Sequence, residues 1–270
     1  MKFGILQLNS TIGDYEANRL KLVAAYEQAC RQGAEFVLAP ELFLCGYPPR
    51  DLLLREDFIE AGLRCLNETA KAVGNVPLCV GYVDRNPARP GRSLTNSAAV
   101  LQNGKIVFRQ NKSLLPTYDV FDEDRYFEPA KQGELAPFVF NGRKLGLTIC
   151  EDIWNDEDFW PERLYRRDPI KELITQGAEI IVNISASPWH AGKERTRLAM
   201  LQRVARDERV PLVQVNLIGA NDELIFDGNS VALNRTGEPV ALGKAFAEDI
   251  LVVEIEGGAN DPLTRPAATL

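Results

Sequence analysis

The chain has 270 residues, 45% of them hydrophobic and 26% charged, with a net charge of −7 at pH 7 and a pI near 5.0. That size suits one large α/β domain, and the acidic balance, with no basic stripe interleaved with aromatics, argues against a nucleic-acid partner. No apolar run approaches the roughly 18 residues that span a bilayer, MKFGILQLNS enters a strand without a signal-peptide pattern, and an odd, sparse set of five cysteines fits free thiols; the expectation is a cytoplasmic protein without a membrane partner.

In chain order, KFGILQL predicts a first strand. Asp14 can cap a helix running to about Gly33, with Leu20, Val23, Ala24 and Ala29 recurring near helical spacing and the glycine as the stop. EFVLAP is the next strand, and a long helix follows from about Glu56 to Val73. PLCVGYV, NSAAVLQ and KIVFRQ are three more strands, the last two joined by the hairpin signal Asn103-Gly104. A loop rich in charge and aromatics covers Ser113 to Gly133, and PFVF and KLGLTIC are strands around a second Asn-Gly turn at Asn141-Gly142.

The second half repeats the rhythm. A helix from about Pro161 to Gln176, which Asp168-Pro169 can interrupt, precedes the strand AEIIVNIS. A charged helix runs from about Lys193 to Arg209, and PLVQVNLIG, NSVALNR and ILVVEIE are further strands. Such alternation implies sheets covered on one face by helices and on the other by a second sheet. Residues 1–256 read as one domain, and 257–270, GGANDPLTRPAATL, as a disordered tail or a linker cut short.

Three residues, each emerging from a strand end, make a kit for attack on an amide carbon: Glu41 after EFVLAP, Lys112 after KIVFRQN, and Cys150 at the end of KLGLTIC. A glutamate takes the thiol proton, the thiolate attacks, and a lysine ammonium steadies the oxyanion. The single histidine, His190, mildly favours this set over a Cys/His pair, because a neighbouring ammonium lowers a thiol pKa from about 8.5 without one. In isolation, each of the three has a plainer reading: a buried small hydrophobe, a hairpin-end lysine, a loop carboxylate.

The motifs LAPELFLCGYPPRDLLLR, NKSLLPTYDVFDEDRYFEPA and LGLTICEDIW carry a resemblance. The chain resembles the carbon–nitrogen hydrolase (nitrilase) superfamily, and more narrowly the glutamine amidotransferase domain of glutamine-dependent NAD synthetases; GYPPRDLL and LPTYDVFDEDRYF point to that branch. The resemblance implies a four-layer αββα sandwich with Glu41, Lys112 and Cys150 as catalytic residues, and hydrolysis of L-glutamine to glutamate and ammonia through a γ-glutamyl thioester. It implies that the ammonia serves an ATP-dependent NAD synthetase domain making NAD from deamido-NAD. No Ser-Gly-Gly-x-Asp-Ser nucleotide loop occurs, and Gly257-Gly258 lacks the flanking serine. ATP and magnesium therefore belong to that absent domain, and the glutaminase step is expected to need no cofactor and no metal.

The resemblance also implies a substrate shell. Tyr118 matches the tyrosine that touches bound glutamine, and Ser187 and Lys193 match the pair that holds its amino-acid head; lysine is a point charge where some relatives have an arginine. Glu151 is expected to give its backbone N–H to the oxyanion, and Glu123, chosen over Glu128, to support the lysine. A homo-oligomer is a further implication. The alternative is a free-standing amidase or carbamoylase of the same superfamily.

Other residues have plain readings. Cys30, Cys65 and Cys79 read as filler, while Cys45, just beyond Glu41, is a candidate to approach the site. His190 reads as a polar residue beside the substrate loop. The acidic run EDIWNDEDFW is a solvated turn or a metal site, carboxylates alone being weak evidence for metal.

Overall fold

A computed structural model describes residues 1–88, 90–154 and 164–256 of the protein. The first half runs β1 (Lys2–Gln7), α1 (Tyr15–Arg31), β2 (Phe36–Leu38), α2 (Glu56–Ala72), β3 (Leu78–Arg85), β4 (Leu94–Gln102) and β5 (Lys105–Asn111). The second runs β6 (Phe138–Phe140), β7 (Arg143–Ile149), α3 (Pro169–Thr175), β8 (Ile180–Ser185), α4 (Lys193–Asp207) and β9 (Leu212–Asn216). Five short strands follow: β10 (Ile218–Asn221), β11 (Leu224–Asp227), β12 (Val231–Leu233), β13 (Pro239–Leu242) and β14 (Asp249–Glu254).

One six-stranded sheet has the order β14-β1-β2-β3-β4-β5 and the other β13-β12-β9-β8-β7-β6. Each is built around three parallel strands, β1 to β3 in one and β7 to β9 in the other, with antiparallel neighbours outside them. The parallel strands are buried on both faces, which is why they read as near-continuous apolar runs. Asn103-Gly104 and Asn141-Gly142 all have positive φ, 50° and 77°, then 49° and 75°, the pairing that a two-residue hairpin turn demands.

Between the sheets, Phe3, Ile5, Phe36 and Leu38 meet Leu147, Ile149, Ile180, Val182 and Val213. Phe36 is fully buried and touches the rings of Phe3, Phe138 and Phe140, so its truncation to alanine should cost about 3–5 kcal/mol. The outer face of the first sheet is covered by Leu22, Ala25, Tyr26 and Ala29 of α1 and by Phe58, Ile59 and Leu66 of α2. The outer face of the second is covered by Ile170 and Leu173 of α3 and by Met200, Leu201, Val204 and Ala205 of α4. The layers are helix, sheet, sheet, helix: the αββα sandwich.

Several local expectations are corrected. Asp14 does cap α1, accepting the Ala17 N–H at 3.1 Å, but the buried face is Leu22, Ala25, Tyr26 and Ala29, leaving Leu20 55% exposed. The helix expected from Pro161 to Gln176 starts at Pro169, because Asp168 is its cap, accepting from Lys171, and the described residues before it are not helical; Pro161 itself lies outside the described residues. PLVQVNLIG is not one strand: β9 ends at Asn216, and β10 leaves to form a separate hairpin with β11. The β10-β11 hairpin and β13 had no sequence signal strong enough to announce them. Residues 257–270, including Gly257-Gly258, and residues 155–160 of the acidic run also lie outside the described residues.

Candidate active site

The ends of β2, β5, β7 and β8 come together at one edge of the sandwich, the place where open parallel sheets present functional groups. Leaving β2, the chain folds Pro40 to Leu44 down onto β3: the Gly81 N–H donates to the Pro40 carbonyl at 3.1 Å, and Leu42 turns with a φ of 46°. This brings Glu41, fully buried, under the end of β5, where Lys112 is 1% exposed.

The Lys112 ammonium lies 2.7 Å from Glu41 Oε1 and 2.9 and 2.8 Å from the two oxygens of Glu123. Burial works to lower the Lys112 pKa, but Glu123 and Glu41 outweigh it and hold the ammonium well above its ordinary range. Glu123 is also pushed up, to about 7, by burial and by the Glu41 charge, with Lys112 opposing. Two further side chains tie the cluster together. Asn96 on β4 donates to Glu41 Oε1 at 2.7 Å and to Glu123 Oε2 at 3.4 Å, and the Tyr47 hydroxyl donates to Glu123 Oε1 at 2.9 Å. Glu128, the alternative to Glu123, instead accepts the Arg92 N–H at 2.8 Å.

The other oxygen of Glu41 accepts the Ala186 N–H, 3.0 Å away, at the exit of β8. A carboxylate from the first sheet is thereby fixed against the backbone of the second.

Cys150 directly follows β7 and begins a short 3-10 turn with a φ of 42°, a left-handed conformation that a non-glycine residue holds only when its surroundings impose it. Burial and then the Glu41 charge push the thiol well above its ordinary pKa of 9.0, while Lys112 pulls it down. The resting side chain is a neutral thiol beside a buried carboxylate that can take its proton.

Glu151 follows. Its carboxyl is 4% exposed and accepts the Tyr118 hydroxyl at 2.8 Å and the Tyr165 hydroxyl at 3.1 Å. Lys193, the first residue of α4, is half-buried, its ammonium over the rings of Trp154 at 5.4 Å and Phe121 at 5.9 Å. Burial lowers its pKa, and the Glu151 charge acts on it in the opposite direction. Ser187 is 2% exposed, with its N–H on Asn216 Oδ1 at 2.9 Å. The structure thus brings Glu41, Lys112, Glu123, Cys150, Glu151, Tyr118 and Lys193 into one electrostatically connected group, with Ser187 one residue beyond the Glu41 contact at Ala186.

Cys45 does not join the site: it is 1% exposed, its thiol turned to the carbonyls of Leu42 and Gly46, and burial raises its pKa. His190 is exposed, with Nδ1 near the Ala191 carbonyl. All five cysteines are free. The acidic run is not a solvated turn where it is described, since Glu151 and Asp152 are both buried, and the described residues hold no group of three or more His, Cys, Asp or Glu arranged for a metal ion.

Sequence reading missed Asn96, Tyr47, Gly81 and Asp152. A polar Asn at the start of NSAAVLQ and a glycine inside PLCVGYV were the available signals, since a buried strand admits neither without a reason.

A family model described as carbon-nitrogen hydrolase matches residues 2–259. Glutamine-dependent NAD(+) synthetases of Synechocystis sp. and Thermotoga maritima are 42% and 37% identical over 98% and 96% of this chain. This chain covers 48% and 43% of them, so it spans about half the length of the curated relatives it matches. Among solved structures, glutamine-dependent NAD+ synthetase from Acinetobacter baumannii aligns with a TM-score of 0.83 at 32% identity, over 93% of this chain and 44% of that one. An amidase from Nesterenkonia sp. AN1 aligns with a TM-score of 0.78 at 22% identity, over 95% and 93%, a likeness of fold.

Proposed function

The chain belongs to the carbon–nitrogen hydrolase family, and from that premise we propose that it is a glutaminase unit that hydrolyses L-glutamine and hands the ammonia to an ATP-dependent NAD synthetase unit. One observation carries the choice of glutamine over a simple amide. The residue after Cys150 is Glu151, whose buried carboxyl accepts the Tyr118 and Tyr165 hydroxyls, and the half-buried Lys193 ammonium sits over the ring of Trp154 at the end of the same turn. Opposite charges set beside a nucleophile suit the ammonium and carboxylate of a free amino acid, and an aliphatic amide without a charged head would leave both unused. The relatives named as glutamine-dependent NAD(+) synthetases support the same reading.

The chemistry proceeds from the resting thiol. Glu41 Oε2, which accepts the Ala186 N–H, has a further lone pair to receive the Cys150 proton as Sγ bonds to the amide carbon. The carbonyl oxygen becomes an oxyanion facing the Lys112 ammonium and the Glu151 backbone N–H. Glu41 returns the proton to the nitrogen as the C–N bond breaks, releasing ammonia and leaving a γ-glutamyl thioester. Water then attacks the thioester, Glu41 takes a proton from it, the Sγ–C bond breaks, and the thiol is restored as glutamate leaves. Asn96 and Glu123 hold Lys112 and Glu41 in register throughout.

The proposed half-reaction uses no cofactor; ATP and magnesium belong to amidation of deamido-NAD in the synthetase unit. Five free thiols support a cytoplasmic setting, and no helix among the described residues is long and apolar enough to cross a membrane.

The test is ammonia release from L-glutamine, with L-asparagine, N-carbamoyl amino acids and propionamide in parallel. Preference for glutamine supports the proposal. Turnover of propionamide with none of glutamine favours the free-standing amidase.

A further inference from the structure

We propose that Asp152 is a positioning residue that clamps the strand end bearing Lys112 to the strand end bearing Cys150. The inference rests on the amide-hydrolase reading of the site, and Asp152 touches no reacting atom in it. Its carboxylate is 1% exposed and collects three backbone donors from two elements. Oδ1 accepts the N–H groups of Ser113 and Leu114, each at 2.8 Å, in the two residues directly after Lys112. Oδ2 accepts the Ile149 N–H at 3.0 Å, in the residue directly before Cys150.

One rigid planar group therefore sets the separation of the ammonium and the sulfur. It also stabilises the turn in which Cys150 holds its positive φ, since the same contact caps the first N–H of that turn. β5 and β7 belong to different sheets, so no ladder hydrogen bond fixes this distance. The charged and titratable groups around Asp152 are Lys112 at the end of β5 and Cys150 and Glu151 in its own turn. Burial pushes the Asp152 pKa up to about 6, with the three N–H donors and Lys112 opposing.

Asp152→Asn is the sharp variant. It keeps the shape, but in either orientation the amide NH2 faces a backbone N–H, so at least one arm of the clamp becomes repulsive. Displacement of the two groups by a fraction of an ångström to an ångström should cost about 100-fold in kcat, with KM for glutamine within about threefold. Asp152→Glu, a methylene longer, should not restore it. The pH profile of Cys150 alkylation by iodoacetamide, followed by mass spectrometry, should move to higher pH as Lys112 loses its fixed place near the sulfur.

A purely structural role would lower the melting temperature and leave the alkylation profile and the kcat of the folded fraction unmoved, which would overturn the proposal. Should the Asn variant fail to fold, the wild-type protein still decides. The amide proton shifts of Ser113, Leu114 and Ile149 should titrate together with one midpoint, and the slow alkylation of Cys150 below its ordinary pKa should change by a step at that same midpoint; independent midpoints for the three amides, or no step, would overturn it. Because alkylation needs no substrate, failure of the glutaminase reading would show separately, as absent glutamine turnover.

Discussion

Gly81 and Glu41 are in backbone contact closer than any side chain would permit. A Cβ added at Gly81 would stand 2.6 Å from the Cα of Glu41 and 2.2 Å from the Leu42 nitrogen. The glycine lets the segment after β2 lie flat on β3, and that close seat delivers the Glu41 carboxylate to Lys112 and Ala186.

Gly81→Ala should therefore act on catalysis through Glu41. The methyl group must push the 40–44 segment outward, and overpacking of this kind costs about 1–3 kcal/mol, a drop of several degrees in melting temperature for a domain of this size. Glutamine turnover should fall by about 100-fold or more, as expected for a base displaced by an ångström. Steady-state kinetics and a thermal melt on one preparation check both, and an unchanged kcat would show that Glu41 does not depend on this seat.

Asn96 makes a second prediction. It is the neutral donor between two buried carboxylates that share one ammonium. Asn96→Asp replaces it with a third carboxyl, raising the affinity of the cluster for protons. Activity at pH 7 should drop by about tenfold or more, the size of a lost charged hydrogen bond, and recover in part as pH rises. A pH–rate profile reads it; a uniform loss at every pH would argue against a shared charge cluster.

The state of the thiol gives a third. Burial and Glu41 keep Cys150 protonated at neutral pH, so without substrate iodoacetamide should label it slowly at pH 7 and faster only above its ordinary value of 9.0. Lys112→Ala, which removes the main cause lowering that value, should shift the labelling curve further alkaline. The sign for stability follows by linkage: the folded protein keeps a proton that the unfolded chain releases. That contribution is present below about pH 8.5–9 and is lost as pH rises through the folded value. Mass spectrometry of the labelled peptide and melts at pH 7 and 10 check both statements, and fast labelling at pH 7 would contradict the first.

How much of this was legible in the sequence divides along physical lines. β1, β3, β7 and β8 were readable because strands buried on both faces are apolar throughout, and the two Asn-Gly turns because their positive φ values limit the residues that fit. Glu41, Lys112 and Cys150 were readable as strand-end residues set within long motifs. Asp152 was not, because an acidic residue in an acidic run looks solvated until its three backbone donors are seen. The α1 face was misjudged because Tyr26 packs inward while Leu20 points to solvent, a choice made by the sheet beneath the helix. The β10-β11 hairpin turns away one residue after β9, and its glycine, Gly219, was read as the end of the β9 run rather than as a break in it.

The opposed charges of Glu151 and Lys193 make a fourth prediction. Lys193→Ala should raise KM for glutamine by about 10- to 100-fold, the size of a charged hydrogen bond lost to a bound carboxylate, with kcat changed far less. Activity on propionamide, which has no carboxylate to grip, should stay within about twofold. Equal losses on the two amides would remove Lys193 from the recognition of the head group.

The decisive measurement is the covalent state of position 150 during turnover. Acid quenching of the protein in the presence of L-glutamine, then peptide mass spectrometry, should find one γ-glutamyl group on the Cys150 peptide, hydroxylamine-labile and absent from Cys150→Ala, whose ammonia release falls by several orders of magnitude. Ammonia release by Cys150→Ala at more than a few per cent of the wild-type rate, or a glutamyl group carried by any other residue, would contradict a thioester built on Glu41, Lys112 and Cys150.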